Sequence, residues 1–368
     1  MKIHFINFDQ QNKFIREEIL ESVKKLFDSK YYVLGSNVLD FETNYSEINK
    51  SKYSIGVGSG LDALIISLKA LRIGKGDEVI VASNAYIASW LSISNVGAKI
   101  IPVEPDPETF NIDANKIEEK ITSKTKAIMP VHLFGQPCEM DKIMNIAKNH
   151  KLYVVEDNAQ AHLAKYNSKI TGTFGKINGT SFYPTKNLGA IGEAGCVTTD
   201  DKDLNDFVRS YRNYGSSKKY VNDIIGSNSR LDEIQAAILN VKLNFIKEWN
   251  INRKSIASKY DKLLSKCNFV KTPKRLDKCD HVYHLYVIQT DKRDELQKYL
   301  TQNGIGTSIH YPIPPHLQKA YSELGYKLGD FPIAEKLAKT SLSLPMYPGL
   351  IDSEIQYICN TVIKFLKN

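Results

Sequence analysis

The sequence predicts a two-domain α/β protein: a large α/β domain on a mixed, mostly parallel sheet (1–245, including an N-terminal helix), then a smaller C-terminal α+β domain (246–368). Three observations predict it. The 368 residues exceed the usual reach of one compact core. Between Tyr53 and Thr199, short β-rich runs alternate with helical patterns, and several runs are apolar on both faces, as strands covered by helices on either side must be. Beyond Arg230 the rhythm changes to a long helical stretch, a β run and two further helices.

Each element has its own signal. "FIREEILESVKKLF" opens the chain with apolar residues at helical spacing: Phe14, Ile15, Ile19, Val23 and Leu26. The strand candidates follow as "YSIGVGS", "DEVIVAS", "KIIPVEP", "KAIMPVHLF", "LYVVEDN", "GTSFYPT" and "GCVTTD". "RLDEIQAAILNVKLNFIKEWNINRKSIASKYDKLL" reads as a long helical bridge between the domains. "HVYHLYVIQT" supplies a strand, "KRDELQKYLTQNG" a helix capped by Gly304, and "SEIQYICNTVIKFLK" the last helix.

Composition narrows the function classes. Hydrophobic content of 42% and charged content of 24% are those of an ordinary globular protein. The net charge of +8 is spread along the chain without a basic run, which excludes a nucleic-acid arm. It suits an anionic small substrate, or simply a lysine-rich solvated surface. Five cysteines without a C-x-x-C pair argue against a disulfide scaffold and against structural zinc, so no metal site is expected. No signal peptide and no apolar run of about 20 residues is present, so no membrane association is expected and the cytoplasm is the expected compartment.

Ligands of open α/β sheets sit at the carboxyl ends of the strands, and four of those ends carry chemistry. In "GVGSGLDAL", Gly60 and Leu61 open a helix whose free amides could seat a phosphate, although a plain tight turn explains the glycines as well. In "SNAYIASW", Tyr86 could lie on a planar ligand or join the core. In "VVEDNAQAHLA", alternation sends Glu156 to one face and Asp157 to the other, one carboxylate facing the ligand end; the alternative is a capping aspartate. In "SFYPTKNLGA", Lys186 follows Phe182, Tyr183 and Pro184 on a turn expected to be relaxed by Gly189, and an amine in that apolar setting is either in transit to solvent or held for chemistry. A phosphate seat, a flat ring, an inward carboxylate and a pocketed amine together match pyridoxal 5′-phosphate (PLP). That cofactor needs a lysine to hold it and a carboxylate to keep its ring nitrogen protonated. Desolvation lowers the lysine pKa and makes the amine reactive.

The ordered motifs "GVGSGLDALIISLKAL", "VHLFGQP", "VVEDNAQAH", "SFYPTKNLGAIGEAGCVTT", "RNYGSSKKY", "NSRLDEIQAA" and "HYPIPPHLQ" span nearly the whole chain. In them the protein resembles the DegT/StrS-type sugar-nucleotide aminotransferases, which are fold-type I PLP enzymes. The resemblance implies that Lys186 is the Schiff-base lysine, alternating between an aldimine with the cofactor and a free amine as a ketimine forms. It implies Asp157 as partner of the pyridine nitrogen, Gln160 as contact to the 3-hydroxyl, and Tyr86 as the stacking ring. Ser181 and the amides at Gly60 and Leu61 would hold the phosphate. Asn228 would reach the cofactor of a neighbouring subunit, making a homodimer with shared sites. Leu61 stands where many members have Thr, and Asn158 and Leu163 replace small residues expected to shape the pocket wall. The "SFYPTKNLGA" form resembles members acting at C3 of dTDP-linked 3-keto-6-deoxyhexoses with glutamate as donor. Amination at C4 of a UDP- or dTDP-linked 4-keto sugar is the near alternative; an NAD-dependent Rossmann oxidoreductase and a non-catalytic PLP-binding protein are the distant ones. Tyr183, Lys219, His310 and Tyr311 are the substrate-side candidates, Lys219 offering charge to a diphosphate.

Overall fold

A computed structural model describes residues 1–367. The chain opens with α1 (Asp9–Ser29) and α2 (Ser36–Asn49), then alternates β1 (Tyr53–Val57), α3 (Gly60–Ala70), β2 (Glu78–Ala82), α4 (Ile87–Asn95), β3 (Lys99–Val103), β4 (Thr125–Met129), α5 (Met140–Asn149) and β5 (Tyr153–Val154). A small hairpin, β6 (Lys165–Tyr166) with β7 (Lys169–Ile170), precedes β8 (Ile177–Ser181), β9 (Gly195–Thr199) and α6 (Lys202–Tyr211). A second hairpin, β10 (Ser216–Lys218) and β11 (Val221–Asn222), leads to α7 (Glu233–Leu243). After α8 (Ile246–Leu264) come β12 (Cys279–Asp280), β13 (Tyr286–Gln289), α9 (Arg293–Gln302), α10 (Pro332–Thr340), β14 (Ser341–Leu344) and α11 (Asp352–Lys367).

The sheet explains why the strand ends converge. Strands β3-β2-β4-β5 run parallel, and β1-β9-β8 form a group in which β9 is antiparallel to both neighbours. Two isolated parallel bridges, Val131 to Asp157 and Asp157 to Gly179, join the groups. The sheet is therefore mixed and mostly parallel, with Asp157 on the seam. Strands β2, β8 and β9 are buried along their whole length, mostly through apolar or small residues on both faces, with Glu78 and Asn178 as buried polar exceptions.

Three large apolar clusters hold this frame, with a small fourth of Ala161, Ala164 and Val282. The largest lies about the sheet and includes Ile55, Ile80, Trp90, Ile128 and Val197. A second packs α1-side residue Ile3 with α8, α9 and α11 through Tyr260, Leu296, Ile305 and Ile358. The third sits behind the Lys186 turn and joins α2 and α7 to Phe182 and Leu188. The long helical stretch expected from Arg230 is two helices, broken at Asn244–Phe245, where Asn244 caps α7 and Phe245 precedes α8. Helix α2, which is not among the elements expected above, buries Val38, Phe41 and Tyr45 at helical spacing, and Glu233 of α7 makes its first turn. The carboxylate accepts from the amides of Gly35, Asn37 and Val38, so a distant side chain supplies the missing N-cap.

Candidate active site

Lys186 is held by a turn clamped from four sides. Phe182 is buried edge-on against Phe41 and Tyr45, with centroids 5.2 Å away in both cases. Asn187 donates to Asn250 and to the Val282 carbonyl, both at 2.9 Å, and Lys242 donates to the Gly189 carbonyl at 2.7 Å. Gly189 does not relax the turn by an unusual backbone angle; a Cβ there would meet the Pro184 oxygen at 2.3 Å, so its role is close approach. The half-buried Lys186 lines a small cavity of about 40 Å³ together with Arg253, His284 and His310. Burial lowers its pKa from 10.5 to about 8, opposed by the Asp157 charge. The amine is therefore a usable nucleophile and base near neutral pH.

Asp157 stands at the seam, 4% exposed. One carboxylate oxygen accepts from the Ser89 hydroxyl at 2.6 Å and the other from the Ala159 amide at 3.1 Å. No lysine, arginine or histidine forms a salt bridge with it among the described residues. Glu156 faces the other way and is used up structurally: it accepts from the amides of Gly172, Phe174 and Gly175 and pairs with His132 at 2.8 Å. Two adjacent acids thus have opposite fates because strand alternation separates them.

The other strand ends gather around this pair. Helix α3 begins at Gly60, and a Cβ at Gly60 would sit 2.5 Å from that of Ser181, so only glycine lets the helix start abut β8. Ser59 caps α3 by accepting from the Asp62 amide. Tyr86 precedes α4, 46% exposed, and its ring lies 4.9 Å from that of Tyr311. Gln160 accepts from the Phe134 amide at 2.6 Å and donates to the Tyr311 hydroxyl at 3.1 Å. His310 contacts the Ser343 hydroxyl at 2.8 Å, and burial with the Lys186 charge holds its pKa down to about 4. Tyr183 is 46% exposed beside the turn.

Lys219 and Asn228 stand apart from the cavity that Lys186 lines. Lys219 is exposed between β10 and β11, 5.2 Å over the Tyr220 ring. Asn228 is exposed and bridges Asn213, beside Ser229, which binds the Gly58 amide and Asp62. Asn158 and Leu163 serve the core: Asn158 lies against Gly172 and Thr180, and Leu163 joins the cluster of Phe41. Sequence reasoning missed Ser89, although it stands one helical turn after Tyr86. It also missed Arg253 and His284, whose patterns carry no chemical signal.

A family model for DegT/DnrJ/EryC1/StrS aminotransferases matches residues 13–363. The chain belongs to this family. It is 48% identical over 363 residues to a dTDP-3-amino-3,6-dideoxy-alpha-D-galactopyranose transaminase of Aneurinibacillus thermoaerophilus, covering 99% of both chains. A dTDP-3-amino-3,4,6-trideoxy-alpha-D-glucose transaminase of Streptomyces venezuelae is 40% identical, over 95% of this chain and 92% of that one. The crystal structure of S. venezuelae DesV in complex with a ketimine intermediate superposes with a TM-score of 0.98 at 39% identity, covering 100% of this chain and 99% of that one. The protein is a sugar aminotransferase with the α/β fold expected from its sequence. No described helix is long and apolar enough to cross a membrane.

Proposed function

We propose that this aminotransferase moves the amino group of glutamate to C3 of a dTDP-linked 3-keto-6-deoxyhexose, using PLP held at Lys186, in a homodimer with shared active sites. One observation carries the reading: an amine lowered to about pKa 8 and a buried carboxylate acting on it at the convergence of the strand ends. PLP, when bound, supplies an electron sink for a carbanion at the reacting carbon. The residues fit that group. The Gly60–Leu61 amides and the Ser181 hydroxyl form an anion seat that a Cβ at Gly60 would fill. Leu61 brings no hydroxyl, so the seat relies on backbone donors. Asp157, its carboxylate oriented by Ser89, would meet the protonated ring nitrogen, and Gln160 and Tyr86 would border the ring.

Lys186 would act as base and then acid: its amine would take the proton from the α-carbon of the amino donor and, in the second half-reaction, deliver one to the sugar carbon that receives nitrogen. His310 and Tyr311, fixed by Ser343 and Gln160, face the hexose with Tyr183. Lys219 and Asn228, exposed and outside their own chain's cavity, serve the partner's diphosphate and phosphate. C3 is favoured because two relatives at 48% and 40% identity are dTDP-3-amino-sugar transaminases. Incubation with glutamate and each of dTDP-3-keto- and dTDP-4-keto-6-deoxyhexose, followed by NMR of the product, tests it. New nitrogen on C3 is expected; nitrogen on C4 alone, or none with either sugar, overturns the reading.

A further inference from the structure

Arg253 is 4% exposed, yet no carboxylate in the protein pairs with it among the described residues. Its Nη1 donates to the carbonyl oxygens of Tyr283, His284 and Met346 at 3.0–3.3 Å, and its Nε has no partner. Carbonyl dipoles offset part of the cost of burying a guanidinium, but a buried charge without a counter-ion stays expensive. His284, 7% exposed, has an unpartnered Nδ1. Both side chains line the cavity of about 40 Å³ that Lys186 also lines, and the charges of Lys186 and Arg253 both act on His284. No acidic side chain lines that cavity; Gln11, Thr185, His310 and Tyr347 are its other polar walls, and Phe5, stacked 5.8 Å from His310, helps to close it.

From this unbalanced positive charge we infer that the cavity of Arg253, His284 and Gln11 receives a carboxylate of the amino-acid donor, and that it serves the donor half of the reaction only. At about 40 Å³ the cavity has room for a group of carboxylate size. An arriving carboxylate supplies the anion that Arg253 lacks and accepts hydrogen bonds from its remaining N–H groups. The same ion is held within reach of the amine at Lys186, so donor binding and proton transfer share one wall. The inference rests on the aminotransferase reading above and deepens it by giving the donor its own subsite.

The test separates the two half-reactions in holoenzyme. Arg253→Lys keeps a cation but loses donors, and Gln11→Glu puts a carboxylate into the cavity to compete with the ligand. Each is expected to raise the glutamate concentration for half-maximal conversion about tenfold or more. Each is also expected to weaken calorimetric binding of 2-methylglutamate, which lacks the α-hydrogen, while amination of the keto sugar from amine-loaded enzyme changes less than about twofold. Gln11→Glu lies outside the carbonyl clamp, so it decides the matter if Arg253→Lys fails to fold. Unchanged 2-methylglutamate binding in Gln11→Glu, or equal loss in both half-reactions, overturns the subsite. A wild-type enzyme that does not react with glutamate at all would instead overturn the parent reading.

Discussion

At the scale of single residues, the two groups that matter most differ from their neighbours only in where their environment leaves their charge. Lys186 titrates near 8 because burial disfavours the ammonium, and Asp157 opposes the shift. In cofactor-free protein, labelling of Lys186 by an amine-directed reagent is therefore expected to rise with a midpoint near pH 8. Asp157→Asn removes the opposing charge and is expected to move that midpoint lower; mass spectrometry of the labelled peptide reads both. The linkage to stability has a definite sign. The folded pKa lies below the ordinary 10.5, so the unfolded chain binds more protons between about 8 and 10.5, and this group's contribution to stability rises with pH across that window. Below pH 8 the ammonium is present in both states and the contribution is flat. Asp157 and Glu156 were separable in the sequence because strand periodicity is strict. Ser89 and Arg253 were not, because a serine on a helix and an arginine in an amphipathic stretch are ordinary until their neighbours are known.

At the scale of elements, capping and clamping by distant side chains position the site. Glu233 replaces the N-cap that α2 lacks, and α2 in turn brings Phe41 and Tyr45 against Phe182, four residues before Lys186. Glu233→Ala leaves three amides without their acceptor and is expected to cost about 2–3 kcal/mol in urea unfolding. It is also expected to lower PLP affinity, because the turn carrying Lys186 loses its backing. A loss under about 0.5 kcal/mol would show that water caps α2 equally well. The single long helix expected from Arg230 is two helices because the apolar pattern continues through Asn244–Phe245 while the backbone turns. Hydrophobic periodicity reports which residues are buried, and a bend between two buried segments leaves no mark on it.

At the scale of the whole molecule, the arrangement of exposed groups is what the proposed dimer accounts for. Lys219 and Asn228 are exposed and stand outside their own cavity, while Phe14, Phe27, Tyr31 and Val33 form exposed apolar surface on or just after α1. Sedimentation equilibrium is expected to give twice the chain mass of 41.6 kDa. Mixing inactive Lys186→Ala with inactive Asn228→Asp subunits is expected to restore up to about one quarter of wild-type activity at random reassociation, since one site in half of the dimers is then intact. No recovery in a verified mixed dimer would place Asn228 in its own subunit's site.

Most of the strands from β1 to β9, the four strand ends and the family were legible in the amino-acid sequence, whereas α2, the two hairpins, α10 and β14 were not, because periodicity, glycine at close approaches and ordered motifs are local properties of a chain. Tertiary structure decided what depends on residues far apart. It gave Glu156 its amide and His132 partners, gave Lys186 its lowered pKa, and buried Arg253 beside that amine without an anion. Desolvation and charge pairing are sums over neighbours in space, and only the packed chain says who those neighbours are.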